Sequence, residues 1–230
     1  MNSKHLFLIP GIALLSLSAC EGQKKKQDKN VLATQLDSVS YGIGLSIGQN
    51  LKKDNLVDIS AEQIANGIKA VFSNDSSLLK IQDAQMTIQK YMQGKSAEKG
   101  KVNLDKGQKG LADNSKKTGV VTLPSGLQYI IIKEGTGAKP LATETVSVHY
   151  HGTLIDGTVF DSSVQRGQPA QFGVSQVIPG WTEALQLMPV GSKWKLWIPA
   201  NLAYGERSPG SPIGPNEMLI FDVELLSIEK

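Results

Sequence analysis

The sequence predicts an α+β chain: an all-helical first half, then an antiparallel β-sheet wrapped on one short helix. Three observations predict it. Apolar residues recur every three or four positions between Val39 and Met92, the period of a one-sided helix. From Leu127 onward they alternate, the period of a half-buried strand. Composition switches near Gly119: residues 21–118 carry a net charge of +5 and residues 119–230 a net of −3. Nine of the thirteen aromatic residues, including all three Trp, lie after that point.

The first residues lie outside this scheme. A polar start with Lys4 precedes a run from Leu6 to Ala19 of 14 mostly apolar residues. That is short of the ~20 a membrane-spanning helix needs. With small residues at its end it reads as a secretory signal over residues 1–19. Leu17-Ser18-Ala19-Cys20 resembles a bacterial lipobox, which implies a lipid on the Cys20 sulfur and Cys20 as the mature N-terminus. Residues 20–36 then form a lipidated tether. Its Lys24, Lys25, Lys26 and Lys29 either add ~1 kcal/mol each toward anionic headgroups or keep a linker solvated.

Residues 37–118 read as a helical module. Val39, Ile43, Ile47 and Leu51 make one stripe, with Tyr41 and Leu45 alongside. Gly42, Gly44 and Gly48 interrupt it. Each costs ~1 kcal/mol against Ala in a helix interior, so close approach to another helix is the expected compensation. Ser60-Ala61-Glu62-Gln63 is a capping-box pattern opening a second helix with Ile64, Ile68, Val71 and Phe72 on its apolar side. Asn74, Asp75 and Ser76 end it. A third pattern runs from Ile81 through Ala84, Ile88, Tyr91 and Met92. Past Met92, Gly94, Gly100, Gly107 and Gly110 stand among scattered charges, and periodicity alone reads a flexible linker or a frayed, exposed helix. Three short amphipathic helices bury little by themselves. The Val39–Leu51 stripe therefore predicts a homodimer through these helices.

Residues 119–230 read as strands. Leu127, Tyr129 and Ile131 alternate; Val146, Val148 and Tyr150 face one way and Ser147, His149 and His151 the other. Asp156-Gly157 is a hairpin signal. Trp194, Leu196 and Ile198 form another strand face, as do Leu219, Phe221, Val223 and Leu225. One helix, from about Trp181 to Met188, puts Trp181, Ala184, Leu185 and Met188 on one side. Strands with a single short helix make an antiparallel α+β domain.

The composition excludes several functions. A net charge of +3 is too balanced for a nucleic-acid binder. Cys20 is the one cysteine, so neither a disulfide framework nor a Cys-based zinc site is expected. His149 and His151 are the only histidines after the signal segment, and they lie on the strand face opposite Tyr150. No phosphate-binding loop and no nucleophile with an adjacent base is legible. Asp156 and Asp161 flank turns. No metal or cofactor is expected.

What remains is a set of aromatics beside strands: Tyr150, Phe160, Phe172, Trp181, Tyr204 and Phe221, with Asp161 among them. Periodicity assigns most of them to the core. Five blocks add to that. Val148-His149-Tyr150-His151-Gly152, Gly157-Thr158-Val159-Phe160-Asp161-Ser162-Ser163, Val177-Ile178-Pro179-Gly180-Trp181, Ala203-Tyr204-Gly205 and Leu219-Ile220-Phe221-Asp222-Val223-Glu224-Leu225 stand in order across residues 119–230. Their order and spacing resemble the FKBP-type peptidyl-prolyl isomerases. Upstream, Ser40-Tyr41-Gly42-Ile43-Gly44 and Thr122-Leu123-Pro124-Ser125-Gly126-Leu127-Gln128-Tyr129 resemble the Mip/FkpA-like exported subfamily.

The resemblance implies an FKBP-like domain over residues 119–230 and a dimerising helical module with a long linking helix over residues 37–118, which makes residues 82–118 more helical than their glycines suggest. It implies a lipoprotein of the bacterial cell envelope, on the outer membrane facing the periplasm. It implies cis-trans isomerisation of X-Pro bonds in proline-containing unfolded or extended polypeptides, assisting the folding of exported proteins. The alternative is a periplasmic chaperone or proline-segment binding module with little catalysis. By the same resemblance Trp181 is the floor under the proline ring. Tyr150, Phe160, Phe172, Val177, Ile178, Ile213 and Phe221 are the walls. The catalytic pair is Asp161 and Tyr204. The Tyr204 hydroxyl donates to a substrate carbonyl, and Asp161 either hydrogen-bonds Tyr150 or faces the twisting carbonyl. The chain departs from the family pattern at Ala170, where a second wall aromatic is usual, and at Gly214, where many relatives have Pro.

Overall fold

The computed structural model describes residues 32–75 and 78–229. The expected signal segment, Cys20 and most of the tether lie outside the described residues. The described residues fall into two compact units, the first ending at Asp75.

The first unit holds two helices, α1 (Gln35–Lys53) and α2 (Ala61–Phe72). Helix α1 opens on a reciprocal cap: the Thr34 hydroxyl accepts from Asp37 N at 3.1 Å, and the Asp37 carboxylate accepts from Thr34 N at 2.9 Å. The helix therefore starts two residues before the expected module boundary at 37. Helix α2 opens where its sequence pattern put it, with Ser60 Oγ accepting from Gln63 N at 3.2 Å. Each helix is followed by an asparagine in the left-handed region, Asn55 at φ 57° and Asn74 at φ 54°. The next amide then closes back on the helix, Leu56 N to Leu51 O and Asp75 N to Ala70 O, both at 2.8 Å. No residue of either helix is buried. Val39, Tyr41, Ile43 and Leu45 are each more than half exposed, and Phe72 is 83% exposed.

The second unit begins with α3 (Ile81–Asn114), one continuous helix of 34 residues. This corrects the reading of residues 94–114 as a linker or frayed end, and it agrees with what the family resemblance implied. The physical reason is the chemistry of the docked face. The buried positions of α3 are Gly100, Asn103, Gly107 and Asn114, spaced to share one side of the helix. That stripe has no apolar side chains, so no hydrophobic period marks it.

The sheet is antiparallel throughout. Its strands are β1 (Val121–Thr122), β2 (Gln128–Lys133), β3 (Thr145–Thr153), β4 (Val159–Ser162), β5 (Ala170–Gly173), β6 (Lys193–Ile198) and β7 (Leu219–Glu229). They run in the order β1-β2-β6-β7-β3-β4. The second edge of β3 is shared: β5 pairs with Thr145–Val148 and β4 with His151–Thr153. The chain between them leaves the sheet as a one-turn helix, α4 (Ser163–Arg166), closed by Gly167 at φ 75°. The β3–β4 turn is the expected Asp156-Gly157 hairpin, with Gly157 at φ 86° and Asp156 Oδ1 accepting from Thr158 N at 2.9 Å.

Helix α5 (Pro179–Leu187) packs on the sheet, two residues earlier in start than its apolar pattern suggested. Proline at the first turn needs no donor there. Trp181, Ala184, Leu185 and the following Met188 are buried against Val146, Val148, Leu196, Ile198, Leu219, Val223 and Leu225. The approach is close: a Cβ on Gly180 would lie 2.5 Å from Ile198 Cγ2. Among the described residues no helix is long and apolar enough to cross a membrane.

Candidate active site

One end of α5 and the concave side of β3, β4, β5 and β7 enclose a cavity of about 620 Å³. Strand alternation aims Tyr150 of β3, Phe172 of β5 and Phe221 of β7 into it. Phe160 and Asp161 are neighbours on β4, and both line the cavity because the β3–β4 register shifts there, Gly152 pairing with Asp161 and Thr153 with Val159. Helix α5 supplies Trp181 from its first turn. The segment leading into α5 supplies Val177 and Ile178, and its path is fixed by Thr182 Oγ1 donating to Val174 O at 2.8 Å. The loop before β7 supplies Tyr204, Pro209, Gly210, Ser211, Pro212 and Ile213. All ten substrate-site and catalytic candidates line this one cavity. Ala170 is absent from its lining.

Trp181 is 4% exposed and touches three aromatic neighbours edge to face. Ring centroids are 5.4 Å away for Tyr150, 5.7 Å for Phe172 and 5.2 Å for Phe221. Phe160 meets Phe221 in the same way at 5.3 Å. Such T-shaped pairs are favourable by ~0.5–1.5 kcal/mol beyond their buried area. They set a rigid indole floor with standing aromatic walls.

The polar groups of the cavity differ in state. Asp161 has both carboxylate oxygens engaged: Oδ2 accepts the Tyr150 hydroxyl and Oδ1 accepts Arg166 Nη1. Arg166 Nη2 donates to the Tyr150 oxygen at 2.8 Å, closing a three-residue ring, and the guanidinium lies 5.5 Å from the Tyr150 ring centre. Of the two roles open to Asp161, the geometry takes the bond to Tyr150. Burial by itself would raise the Asp161 carboxyl, but the Tyr150 and Arg166 hydrogen bonds and the Arg166 charge outweigh it and hold it below the usual carboxylate range. Burial raises the Tyr150 phenol, reinforced by the Asp161 bond and opposed in part by Arg166. Tyr204, 41% exposed, makes no hydrogen bond among the described residues, so its hydroxyl is free to donate into the cavity.

Arg166 and Gln176 were not among the sequence candidates. Arg166 had a readable signal: it follows Asp161 by five residues and precedes Gly167, the spacing of a one-turn helix that returns the guanidinium to Asp161 and Tyr150. Gln176 had none. His149 and His151 are half-buried and pair with serines, Nδ1 to Ser163 Oγ at 3.1 Å and Nδ1 to Ser162 Oγ at 3.0 Å. Neither reaches the cavity lining.

Comparison with known proteins bears on this site directly. The family model for FKBP-type peptidyl-prolyl cis-trans isomerase matches residues 137–226, and that for the domain amino-terminal to such isomerases matches residues 36–131. The outer membrane protein MIP of Legionella longbeachae is 50% identical over 210 residues, covering 88% of this chain and 90% of its own. The chain belongs to the FKBP-type peptidyl-prolyl isomerases. The FkpA isomerase of Aeromonas hydrophila is 42% identical and spans 100% of this chain and 96% of its own. The crystal structure of FkpA from Escherichia coli superposes with a TM-score of 0.64 at 36% identity, covering 86% of this chain and 98% of that one.

This isomerase needs no acid, base or nucleophile. The X-Pro bond resists rotation by ~18–20 kcal/mol because the amide is conjugated. Turning it breaks no covalent bond. It requires surroundings that favour the twisted amide over the planar one. The twisted carbonyl has lost conjugation and is less polar, so an aromatic cavity that excludes water disfavours it less than it disfavours the planar form.

Proposed function

We propose that X-Pro bonds turn in this cavity with the proline ring on Trp181, between Tyr150, Phe160, Phe172, Val177, Ile178, Ile213 and Phe221. The Tyr204 hydroxyl donates to a substrate carbonyl. Asp161 contacts the substrate only at the cavity edge and acts chiefly through the ring that fixes Tyr150. The observation that carries this reading is the contrast in polar groups: Asp161, Tyr150 and Arg166 satisfy one another, whereas the Tyr204 hydroxyl has no partner among the described residues. The substrates are proline-containing stretches of unfolded or extended polypeptides.

The finer biology follows the same reading. Residues 37–118 serve as dimerisation module and linking helix and residues 119–230 as the isomerase domain. The exposed Val39, Ile43 and Leu45 of α1 support pairing with a second copy. Cys20 anchors the chain through lipid in the bacterial envelope, on the outer membrane facing the periplasm, where it assists the folding of exported proteins. A relative bearing the name outer membrane protein supports that location. A protease-coupled assay on a short Xaa-Pro peptide tests the activity: wild type should accelerate isomerisation and Tyr204→Phe should do so less. Equal rates would remove Tyr204 from its role. Membrane fractionation tests the anchor, since Cys20→Ser should leave the membrane fraction; a variant as tightly bound as wild type would remove Cys20 from that role.

A further inference from the structure

The loop between Gly205 and Met218 has two limbs. The outer limb, Pro209 to Ile213, lines the cavity. The inner limb, Gly214 to Met218, lies against α3. A Cβ on Gly100 would sit 3.2 Å from Asn216 Nδ2 and 3.4 Å from Pro215 Cβ, and one on Gly107 would sit 3.0 Å from Met218 Cβ. From the loop side, a Cβ on Gly214 would meet Lys99 Cε at 2.9 Å and Asn103 Nδ2 at 3.0 Å. Between these contacts is one polar anchor: Asn103, 8% exposed, donates from Nδ2 to Pro215 O at 2.9 Å.

The loop is also tied internally. Asn216 N donates to Gly205 O at 2.7 Å across its base, and Ser208 Oγ donates to Ile213 O across its tip. A loop braced in this way moves as a body, so what holds one limb sets the position of the other. Only Gly214 separates the held Pro215 from the cavity wall at Ile213. Beside this contact, burial raises the Glu217 carboxyl, and the Lys99 and Lys106 charges of α3 oppose that shift in part.

We propose that Asn103 of the linking helix is a positioning residue for the isomerase site: its bond to Pro215 holds the inner limb and thereby the Ile213 wall against which substrate packs. The inference rests on the isomerase reading above. It makes α3 more than a spacer, because residues that line the cavity depend on a residue well before the isomerase domain. The glycines at 100 and 107 let the helix come close enough for a side chain as short as asparagine to reach the loop.

The test uses the full chain with Asn103→Asp, which keeps size and removes the donor, Asn103→Ala, which adds no charge, and Asn114→Ala as a control. Asn114 lies on the same helix face but bonds to Gln128 Oε1 at 3.0 Å, away from the loop. On a short Xaa-Pro peptide, both Asn103 variants should raise KM about fivefold to tenfold, the usual effect of one lost buried hydrogen bond, with kcat within about twofold. Amide hydrogen exchange over residues 206–216 should quicken about tenfold while residues 194–198 stay protected. Asn114→Ala should lower the melting temperature and change neither readout. Asn103 variants that melt earlier but keep wild-type KM and wild-type loop exchange would overturn the proposal, as would Asn114→Ala raising KM equally. An inactive wild type would sink the isomerase reading instead, and the exchange data would still decide whether Asn103 orders the loop.

Discussion

Asp161→Ala, Tyr150→Phe and the double variant separate a structural ring from a direct catalytic contact. A hydrogen bond to an ionised group contributes ~1.5–3 kcal/mol where water is excluded. The Asp161 side chain is 44% exposed, so solvent screens its bond to Tyr150, and about 1 kcal/mol is the expected coupling between these two residues. At 1.4 kcal/mol per tenfold, each single variant should lose about fivefold in kcat/KM on a short Xaa-Pro peptide. The double variant should lose little more than either single one, because each single change already opens the ring. Tyr204→Phe should behave differently. It removes a donor to the substrate, a loss of ~1–3 kcal/mol or about fivefold to a hundredfold, and it should add to Asp161→Ala because no hydrogen bond joins the two. Melting curves check that each variant folds. Full activity in both Asp161→Ala and Tyr204→Phe would refute the assignment of the cavity. Full additivity of Asp161→Ala with Tyr150→Phe would refute the ring.

Three further outcomes follow. Because Asp161 titrates below an unfolded aspartate, whose pKa is ~3.9, its contribution to stability is whole above about pH 4 and is lost as pH falls through the folded value. The melting-temperature gap between wild type and Asp161→Asn should thus be constant above about pH 5 and shrink below about pH 4; a gap independent of pH would deny the carboxylate its ionised role. Replacing Ile43 and Ile47 by Asp should yield monomers in light scattering, since charge would enter the proposed interface; dimers that persist would move the interface elsewhere, while the peptide activity should be unaffected. Gly180→Ala should destabilise by ~1–3 kcal/mol in urea melts, because the new Cβ meets Ile198 Cγ2 at 2.5 Å with sheet behind it; an unchanged midpoint would mean that α5 can lift off β6.

Strands and cavity were legible because each carries its own signal. Alternation placed Val146, Val148 and Tyr150, and Leu219, Phe221 and Val223, on buried faces, and all six are buried. The cavity residues sit on those same faces, so the family blocks that named Tyr150, Phe160 and Phe221 also fixed where they point. Arg166 left a fainter trace, its spacing from Asp161 and the Gly167 after it, and its pairing with Asp161 is settled only by the one-turn helix α4 that lies between the two. The state of Asp161 was not readable either: whether a carboxylate meets a tyrosine or a substrate is decided by distances that composition does not contain.

The glycines of the helical half show where sequence reasoning reaches its physical limit. Gly42, Gly44 and Gly48 on α1 and Gly100 and Gly107 on α3 carry the same local cost in a helix, ~1 kcal/mol each against Ala. Among the described residues, a Cβ at the first three would meet nothing within 4 Å, whereas at the other two it would press on Asn216, Pro215 and Met218. On α3 the cost is offset by docking that an added methyl would obstruct. On α1 no such docking is seen among the described residues, and the exposed Val39 and Ile43 lie on the same helix. The second helix proposed above to pair with α1 would cover the exposed end of the stripe and offset these glycines as docking does on α3. One residue type thus reads as weakness or as contact according to what faces it. That distinction lies in the partner surface, and no local pattern around the glycine encodes it.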